Sequence, residues 1–261
     1  MSEITQKSVV ELFGGGLHNK NRLLYPNGTD ESAESRVITR FRGLRELGNI
    51  ALVDGAFDVP HNNHEWYLRH CKLIGIFAAL QAQYGDNLQY TDVAMRLQSE
   101  PTLAKAASLA VTVDADSKVA AKKSGLEHKG GVRRPIYPWN ARADRLAGYH
   151  FELAGTLHQT VDLVTVEGDP IHRGTPLESS LTLAHFLKQH GLLDTFIVYG
   201  EHSSTVDEAT ELGLQPVVID DSSVASYETN PQTGKDWSSS SIISRAQGKP
   251  VATPITRPEG L

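Results

Sequence analysis

The chain has 261 residues, of which 39% are hydrophobic and 21% charged, and its formal net charge is -6 at pH 7. These values are typical of a globular protein with one sizeable domain, and they argue against general electrostatic binding of nucleic acid. No apolar run reaches the length of a membrane span, and the N-terminus has no signal-peptide core. We therefore expect a cytoplasmic protein that binds neither nucleic acid nor a membrane. The single cysteine, Cys71, excludes an internal disulfide and is expected to be a small buried residue rather than a nucleophile.

Residues 1–48 lie outside the regular alternation of elements that follows, and they form a predicted N-terminal extension. A helical pattern begins at about Glu31, with Asp30 as its predicted cap and Gly48 as its predicted stop. One face of this helix carries apolar residues at helical spacing, namely Val37, Phe41, Leu44 and Leu47. The extension is therefore expected to be partly helical.

From Asn49 onward, short apolar and β-branched runs alternate with helical patterns. The predicted strands cover 50–53, 108–113, 161–166, 195–200 and 215–220. The helical patterns cover 64–85, 140–158, 180–193 and 204–213, with a further helix inserted at about 90–106. Near-continuous apolar strands separated by helices are typical of a parallel sheet that is covered on both faces. The sequence therefore predicts an α/β fold, a Rossmann-like doubly wound parallel sheet of about five strands with helices on both faces.

This predicted domain covers residues 49–248, and residues 249–261 form an extended C-terminal tail with three prolines. In doubly wound sheets, ligands bind outside the carboxyl ends of the strands, where the strand order reverses. Three loops directly follow strands: GAFD at 55–58, DADS at 114–117 and GEHS at 200–203. We expect these loops to converge on one edge of the sheet.

The stretch GAFDVPHNNH, residues 55–64, places two histidines at a predicted strand-to-helix turn. A helix N-terminus presents unpaired N–H groups and the positive end of the helix dipole, and both favour an anion. On the motif alone, three interpretations of His61 and His64 stay open. They bind phosphate, they bind a metal with a third ligand, or they are ordinary polar residues at a helix start.

Two further stretches carry groups that suit a polyanionic ligand. Asp114 and Asp116 follow the second strand, where carboxylates could position Mg²⁺ or its bound waters. After them, basic residues crowd a glycine-containing segment, namely Lys118, Lys122, Lys123, Lys129, Arg133, Arg134 and Arg142. Near the C-terminus, SSSSIISR at 238–245 places four serines at a predicted helix start, where serine is a strong capping residue.

Taken in order, these stretches resemble a known family. GAFDVPHNNH resembles the G-x-F-D-x-x-H-x-G-H signature of the cytidylyltransferase-like nucleotidyltransferases, and SSSSIISR resembles their closing S-T-T/S-x-I-I-x-R motif. VDADSKVAAKKSG…GVRRPIYPWNAR resembles the D-x-x-V-x-x-x-K-G-x-x-R-P-[IV]-x-P…R run of the heptose-phosphate adenylyltransferase domain of ADP-heptose synthesis. The likeness covers about Ile50 to Gly248, with the motifs in the family's order.

The sequence departs from the family pattern at three places. Asn63 stands where the family has the glycine of H-x-G-H, which lets the nucleotide approach the helix start closely. The closing motif is all serine, which keeps the hydroxyl groups. The G-[GD]-D turn after the fourth strand is Gly200, Glu201 and His202 here. Asn63 is the departure that is expected to alter the base pocket or weaken catalysis.

The resemblance implies an enzyme, a nucleotidyltransferase that transfers a nucleoside monophosphate from an NTP to a small phosphorylated substrate such as a sugar phosphate, with release of pyrophosphate. ATP is the favoured nucleotide, CTP is the alternative, and Mg²⁺ is the implied cofactor. The implied catalytic residues are His61, His64, Lys122, Lys123 and Arg245. The implied nucleotide-binding residues are Gly55, Ala56, Phe57, Asp58, Asn63, Gly200, Ser238, Ser239 and Ser240. The implied substrate-binding residues are Asp114, Asp116, Arg134, Arg142 and Glu201.

Two of these residues carry a second implied role. Asp58 either orients the site or binds the magnesium ion, and Arg142 either contacts the substrate phosphate or helps to fix the basic loop. We also expect a homodimer, in which residues 1–48 either cover the site or form the interface.

Other functions stay open at this point. One is a catalytically degenerate protein that binds a nucleotide without turnover. Another is a metal-dependent hydrolase that uses the two histidines with Asp114 and Asp116. The least favoured is an activation domain like that of aminoacyl-tRNA synthetases, because no K-M-S-K-S-like sequence lies near the C-terminus.

Overall fold

The computed structural model describes residues 23–24, 32–85, 87–124, 134–153, 155–200, 204–219, 229–230 and 235–236. Within these ranges, the α-helices are α1 (Ala33–Arg45), α2 (Asn62–Tyr84), α3 (Tyr90–Ser99), α4 (Asp116–Ser124), α5 (Trp139–Ala147), α6 (Ser180–Gln189) and α7 (Ser204–Glu211). The strands are β1 (Leu23–Leu24), β2 (Asn49–Gly55), β3 (Ala107–Asp114), β4 (His150–Leu153), β5 (Thr156–Gln159), β6 (Leu163–Glu167), β7 (Thr195–Tyr199), β8 (Pro216–Ile219), β9 (Thr229–Asn230) and β10 (Lys235–Asp236). Short 3₁₀ helices cover Pro101–Lys105 and Pro170–His172.

The main sheet is parallel, with the strand order β1-β6-β3-β2-β7-β8. Its five longer strands lie in the order third, second, first, fourth and fifth along the chain, which is the order of a Rossmann-like, doubly wound sheet. The structure thus confirms the predicted α/β fold. The strand order reverses between β2 and β7, and the crevice at such a reversal is where ligands bind in this class of sheet. The two-residue strand β1 adds an edge beside β6 that the apolar runs did not predict.

Helices cover both faces of the sheet, because alternate residues of each buried strand point to opposite sides. On one face, a buried apolar cluster joins the sheet to α2 and α5 through Leu68 and Leu146. On the other face, a second cluster joins the sheet to α1 and α6 through Phe41 and Leu183. Helix α1 lies in the predicted N-terminal extension, and it packs into this second cluster.

The inserted segment forms α3 and the 3₁₀ turn that follows it. Val93 and Leu97 of α3 pack against Ile76 and Leu80 in the second half of α2. This segment therefore has its own small apolar cluster beside the main sheet.

One helical prediction is wrong over half of its length. The pattern at 140–158 was expected to be one helix, but α5 ends at Ala147 and β4 pairs with β5 as an antiparallel hairpin. Glycine at position 148 ends the helix. The Nε2 group of Gln159 then holds the base of the hairpin by donating to the carbonyl oxygens of Ala147, Tyr149 and Val161. These hydrogen bonds tie the hairpin to the end of α5.

The first helix also differs in detail from its prediction. Ser32 caps α1, with the backbone N–H of Ser35 donating to its Oγ at 3.2 Å, whereas the predicted cap Asp30 lies outside the described residues. Leu47 was expected on the buried face but is 63% exposed, because the helix ends at Arg45 and the chain turns there towards β2.

Two expectations from composition can be compared with the structure. Cys71 is fully buried in α2, as predicted, and burial raises the pKa of its thiol. None of the helices within the described ranges combines the length and the apolar character that crossing a bilayer requires.

Candidate functional site

The loops that follow the central strands lie at one edge of the sheet. Gly55 at the end of β2 is in register with Val113, and Asp114 at the end of β3 is in register with Glu167 at the end of β6. Gly200 directly follows β7, which pairs with β2 on its other side. The GAFD and DADS loops therefore converge as predicted, and the third loop begins at the same edge, although residues 201–203 lie outside the described ranges.

The chain turns sharply between β2 and α2. Phe57 has a φ angle of 43°, a left-handed conformation that is rare for a bulky residue and that often marks a functional turn. Gly55 makes room for this turn, because a Cβ atom there would lie 2.8 Å from the Phe57 ring. His61 is the N-cap residue of the 23-residue helix α2, and its side chain makes no capping hydrogen bond. The first N–H groups of α2 thus lack the acceptor that a capping side chain usually supplies.

The two histidines of the motif lie against each other at this helix start. Their rings stack with centroids 3.9 Å apart, and the Phe57 ring packs edge-on against His64 at 5.2 Å. The Nδ1 atom of each histidine is buried and has no hydrogen-bond partner within the described part of the chain. Unpaired buried polar atoms are unfavourable and uncommon in native proteins. Both Nδ1 atoms are therefore positions that a bound ligand could satisfy.

Burial sets the charge state of this pair. It lowers the pKa of His61 to about 4. Burial, together with a smaller repulsion from His61, lowers the pKa of His64 to about 3, although a hydrogen bond with the Val59 backbone opposes the change. Both rings are therefore neutral at pH 7, and each then carries one N–H donor and one acceptor nitrogen. A bound anion favours the protonated form and raises both pKa values.

We expect the ring signals of His61 and His64 to stay constant in an NMR titration from pH 8 down to pH 5.5. A solvated imidazole is half-protonated near pH 6.5 and would gain charge in this range. Burial instead keeps these two rings neutral. The same protein in denaturant is the control, because there every histidine titrates near that value. A midpoint above pH 6 for both rings in the folded protein would show that the site is open to water.

Asp58 connects the histidine turn to the basic segment. Its side chain is 2% exposed, its Oδ1 accepts from the backbone N–H of Ile136 at 2.6 Å, and its Oδ2 pairs with the guanidinium of Arg134. These contacts join the Phe57 turn to the segment that holds Arg134 and Ile136, as the predicted orienting role of Asp58 would require. Its predicted ligation of magnesium stays a prediction.

Arg142 connects even more of the site. Its guanidinium is fully buried and donates to the carbonyl oxygens of Ala56, Asp114 and Tyr137 and to the Asp116 carboxylate. The distances to Tyr137, Asp114 and Asp116 are 3.0, 2.8 and 2.7 Å. Of the two roles predicted for Arg142, these contacts match the fixing of the loop, because the group lies beneath the surface.

A charged cluster occupies the ends of the three central strands on the face that packs against α6. We call it the strand-end cluster, and it consists of Asp54, Asp114, Lys118, Lys122 and Glu167. The Lys118 ammonium lies 2.8 Å from Asp114 Oδ1 and also contacts Glu167 Oε1. The Lys122 ammonium lies 2.9 Å from Asp114 Oδ2 and is half-exposed. The cluster thus combines buried carboxylates with lysines nearer the surface.

The carboxyl groups of the strand-end cluster differ in their proton affinity. Burial raises the pKa of Glu167 to about 7, against the opposing charge of Lys118. Burial, with added repulsion from Asp114, raises the pKa of Asp54. Asp114 has a lowered pKa, because Lys118 and Lys122 together outweigh the effect of its burial. Glu167 and Asp54 therefore hold a proton more readily than Asp114 does.

The sequence interpretation missed Asp54 and Glu167 as members of a site, and it named Lys118 only as one of the basic residues that suit a polyanionic ligand. The signal that could have found the two acids is their position, since Asp54 and Glu167 are the acidic residues at the carboxyl ends of two predicted strands. Asn63, by contrast, was singled out, and it is buried at the start of α2 with 5% of its surface exposed.

Several predicted site residues lie outside the described residues, namely Glu201, Ser238, Ser239, Ser240 and Arg245. Lys123 belongs to α4, but its side chain is also outside them. Among the side chains that the structure does describe, no group of three or more histidine, cysteine, aspartate or glutamate residues has the arrangement of a metal site. The predicted hydrolase pair, Asp114 and Asp116, is instead engaged by lysine and arginine side chains.

Comparison with known proteins identifies no relative, so a function for this chain has to be argued from the geometry of the site. No model of a known protein family and no curated protein sequence matches the chain.

Proposed function

We propose that this protein is a nucleotidyltransferase that transfers a nucleoside monophosphate from an NTP to a small phosphorylated metabolite. One observation carries the proposal. His61 and His64 are stacked at an uncapped helix N-terminus beside the reversal of strand order, and each has a buried Nδ1 atom without a partner in the described residues. A helix start in this crevice, with its backbone N–H groups and two imidazoles that a bound anion can protonate, suits the phosphates of a nucleotide.

In the proposed reaction, a phosphate oxygen of the acceptor attacks the α-phosphorus of the NTP. The bond from that phosphorus to the oxygen bridging the α- and β-phosphates breaks, and pyrophosphate leaves. Catalysis of this kind needs alignment and charge stabilisation rather than a covalent nucleophile. His61 and His64 would stabilise charge on the transferring phosphoryl group. The half-exposed Lys122 would contact phosphate oxygens, as would Ser239, Ser240 and Arg245.

The substrates follow from the motifs quoted above. ATP is the favoured nucleotide because the middle stretch resembles adenylyltransferases, and CTP is the alternative. The acceptor is a sugar phosphate or another small phosphorylated alcohol. Mg²⁺ would accompany the triphosphate and offset part of its charge, since this ion is usually held by substrate phosphates with few protein ligands. We place the reaction in the cytoplasm, with the protein as a homodimer.

A second candidate is a binder that holds an NTP without turnover. The buried Asn63 favours it, because the resembling families place a glycine there and an added side chain at the helix start narrows the approach of a nucleotide. The two candidates share the binding site and differ only in whether pyrophosphate is released.

The experiment that tests the proposal is pyrophosphate release by the full chain. Each of the four common NTPs is incubated with Mg²⁺ and with a panel of sugar phosphates and polyol phosphates. We expect release that needs both an NTP and an acceptor, with ATP ahead of CTP. Binding of an NTP without release in any combination would select the second candidate. Release that is independent of the acceptor, or no binding of any NTP, would overturn the proposal.

A further inference from the structure

Arg142 is the largest fully buried side chain in the described part of the protein, and it is charged. Arginine is almost never fully buried unless it is paired. A buried charged group needs all of its partners in place, because removing one partner leaves an uncompensated charge and is strongly destabilising. Here the four accepting groups come from three separate segments, and each of those segments borders the candidate site.

The four contacts join the loops of the site to one another. The contact with the carbonyl of Ala56 holds the residue that precedes Phe57 in the left-handed turn. The contacts with Asp114 and Asp116 hold the end of β3 and the start of α4, from which Lys118 and Lys122 reach the strand-end cluster. The contact with Tyr137 holds the segment before α5.

Asp58 ties the same turn to the same segment from the other side. It lies one residue beyond Phe57, and it binds Arg134 and the backbone of Ile136, whereas Arg142 binds the backbone of Tyr137. The Phe57 turn is therefore held between two contacts with the segment 134–137. Because the turn leads directly into His61, its position decides where the histidine pair lies.

We propose that Arg142 is a positioning residue, which fixes the Phe57 turn and thereby the His61–His64 pair without touching the substrate. The proposal deepens the proposed nucleotidyltransferase function, on which its catalytic consequence rests. The guanidinium is suited to this role, because it presents several N–H donors in one rigid plane. A lysine would keep the charge but could not reach carbonyl groups on three segments at once.

The test compares Arg142→Lys with Arg145→Lys in the full chain. Arg145 lies on the same helix less than one turn away, but its side chain is exposed and packs over the ring of Tyr149. The first readout needs no nucleotide: the pKa values of His61 and His64, followed by NMR well below the unfolding temperature. The second readout is pyrophosphate release from ATP with Mg²⁺, resolved into kcat and KM.

In Arg142→Lys, we expect water to reach the loosened turn and both histidine pKa values to rise by about 1 or more towards the free value. We expect kcat to fall about 10²-fold, since a displacement of about 1 Å has an effect of that size, while KM for ATP changes less than about threefold. Arg145→Lys should match the wild type in both readouts. A merely structural role would lower the unfolding temperature and leave the histidine pKa values and the kcat of the folded protein unchanged.

Unchanged histidine pKa values in folded Arg142→Lys would overturn this proposal, whatever the activity of the protein. If wild-type protein releases no pyrophosphate but the histidine pKa values still respond to Arg142→Lys, the proposed function fails and the positioning role stands. If Arg142→Lys does not fold, Asp116→Ala is the milder variant. It removes only one of the four contacts of Arg142, and the Asp116 side chain that is lost is partly exposed. That variant is expected to raise the same pKa values by a smaller amount, and no rise would also overturn the proposal.

Discussion

Replacing His64 with alanine is expected to lower the rate of pyrophosphate release at least about 10²-fold, because removal of one donor aimed at developing charge typically has an effect of 10²–10³. His64 is the member of the pair that Phe57 and His61 hold from two sides, so its ring has the more fixed position. Steady-state kinetics with the best NTP and acceptor measure the effect.

The matched control for this variant is His185→Ala. His185 lies on α6 and contacts Gln189 at the surface, away from the helix start of α2. Its replacement should leave turnover within about twofold of the wild type, as is usual for surface changes. Thermal unfolding of both variants shows whether they are folded at the assay temperature. Turnover of folded His64→Ala near the wild-type rate would remove the histidine from the mechanism.

Replacing Lys118 with methionine is expected to lower the free energy of unfolding at pH 8 by about 3–5 kcal/mol, which is the usual result of breaking a buried ion pair. The change leaves Glu167 without its cation and leaves Asp114 with Lys122 alone. Methionine fills a similar volume beside Gly168, which the Lys118 stem packs against. The decrease in the free energy of unfolding should therefore come from the lost charge rather than from lost packing. Urea unfolding measures this decrease.

The pH dependence of this loss follows from Glu167. The pKa of Glu167 is about 7 in the folded protein against an ordinary value of 4.5, so the folded state binds more protons than the unfolded state between these values. Glu167 therefore lowers stability as pH rises through this window. Without Lys118 its pKa rises further, and the loss is expected to be larger at pH 8 than at pH 5.

Two companion variants make the Lys118 result decisive. Lys105→Met changes an exposed lysine and should alter stability by less than about 0.5 kcal/mol. Glu167→Gln removes the buried charge but keeps an acceptor oxygen for Lys118, so it should be milder than Lys118→Met and should flatten the pH dependence. Equal losses at pH 5 and pH 8 for Lys118→Met would contradict the charge cluster as described.

The parallel sheet could be predicted because its strands are buried on both faces. β3 and β6, for example, are apolar almost without interruption, and such runs stand out from the helical spacing around them. The hairpin at 150–159 could not be separated from a helix, because its short strands carry few apolar residues and its base depends on Gln159. The pairing of Leu23 with Val164 depends on residues far apart in the chain, which local patterns do not show.

The parts of the candidate site that lie within one short motif could be predicted from the sequence, whereas contacts between residues far apart in the chain could not. His61 and His64 follow one strand within a short motif, so their place at a helix start could be read from the sequence. The role of Arg142 depends on Ala56, 86 residues away along the chain. Nothing around position 142 indicates that an arginine there is fully buried, since that depends on the fold bringing its partners together.

Site-specific titration with nucleotide tests most directly whether the His61–His64 pair binds the phosphates of an NTP. The ring signals of both histidines, assigned from the His61→Ala and His64→Ala variants, are followed while ATP or CTP is added with Mg²⁺. Both signals should shift together and saturate, and both pKa values should rise because a bound anion favours the charged imidazole. Ring signals that stay unmoved at saturating concentrations of every NTP would contradict the proposed site.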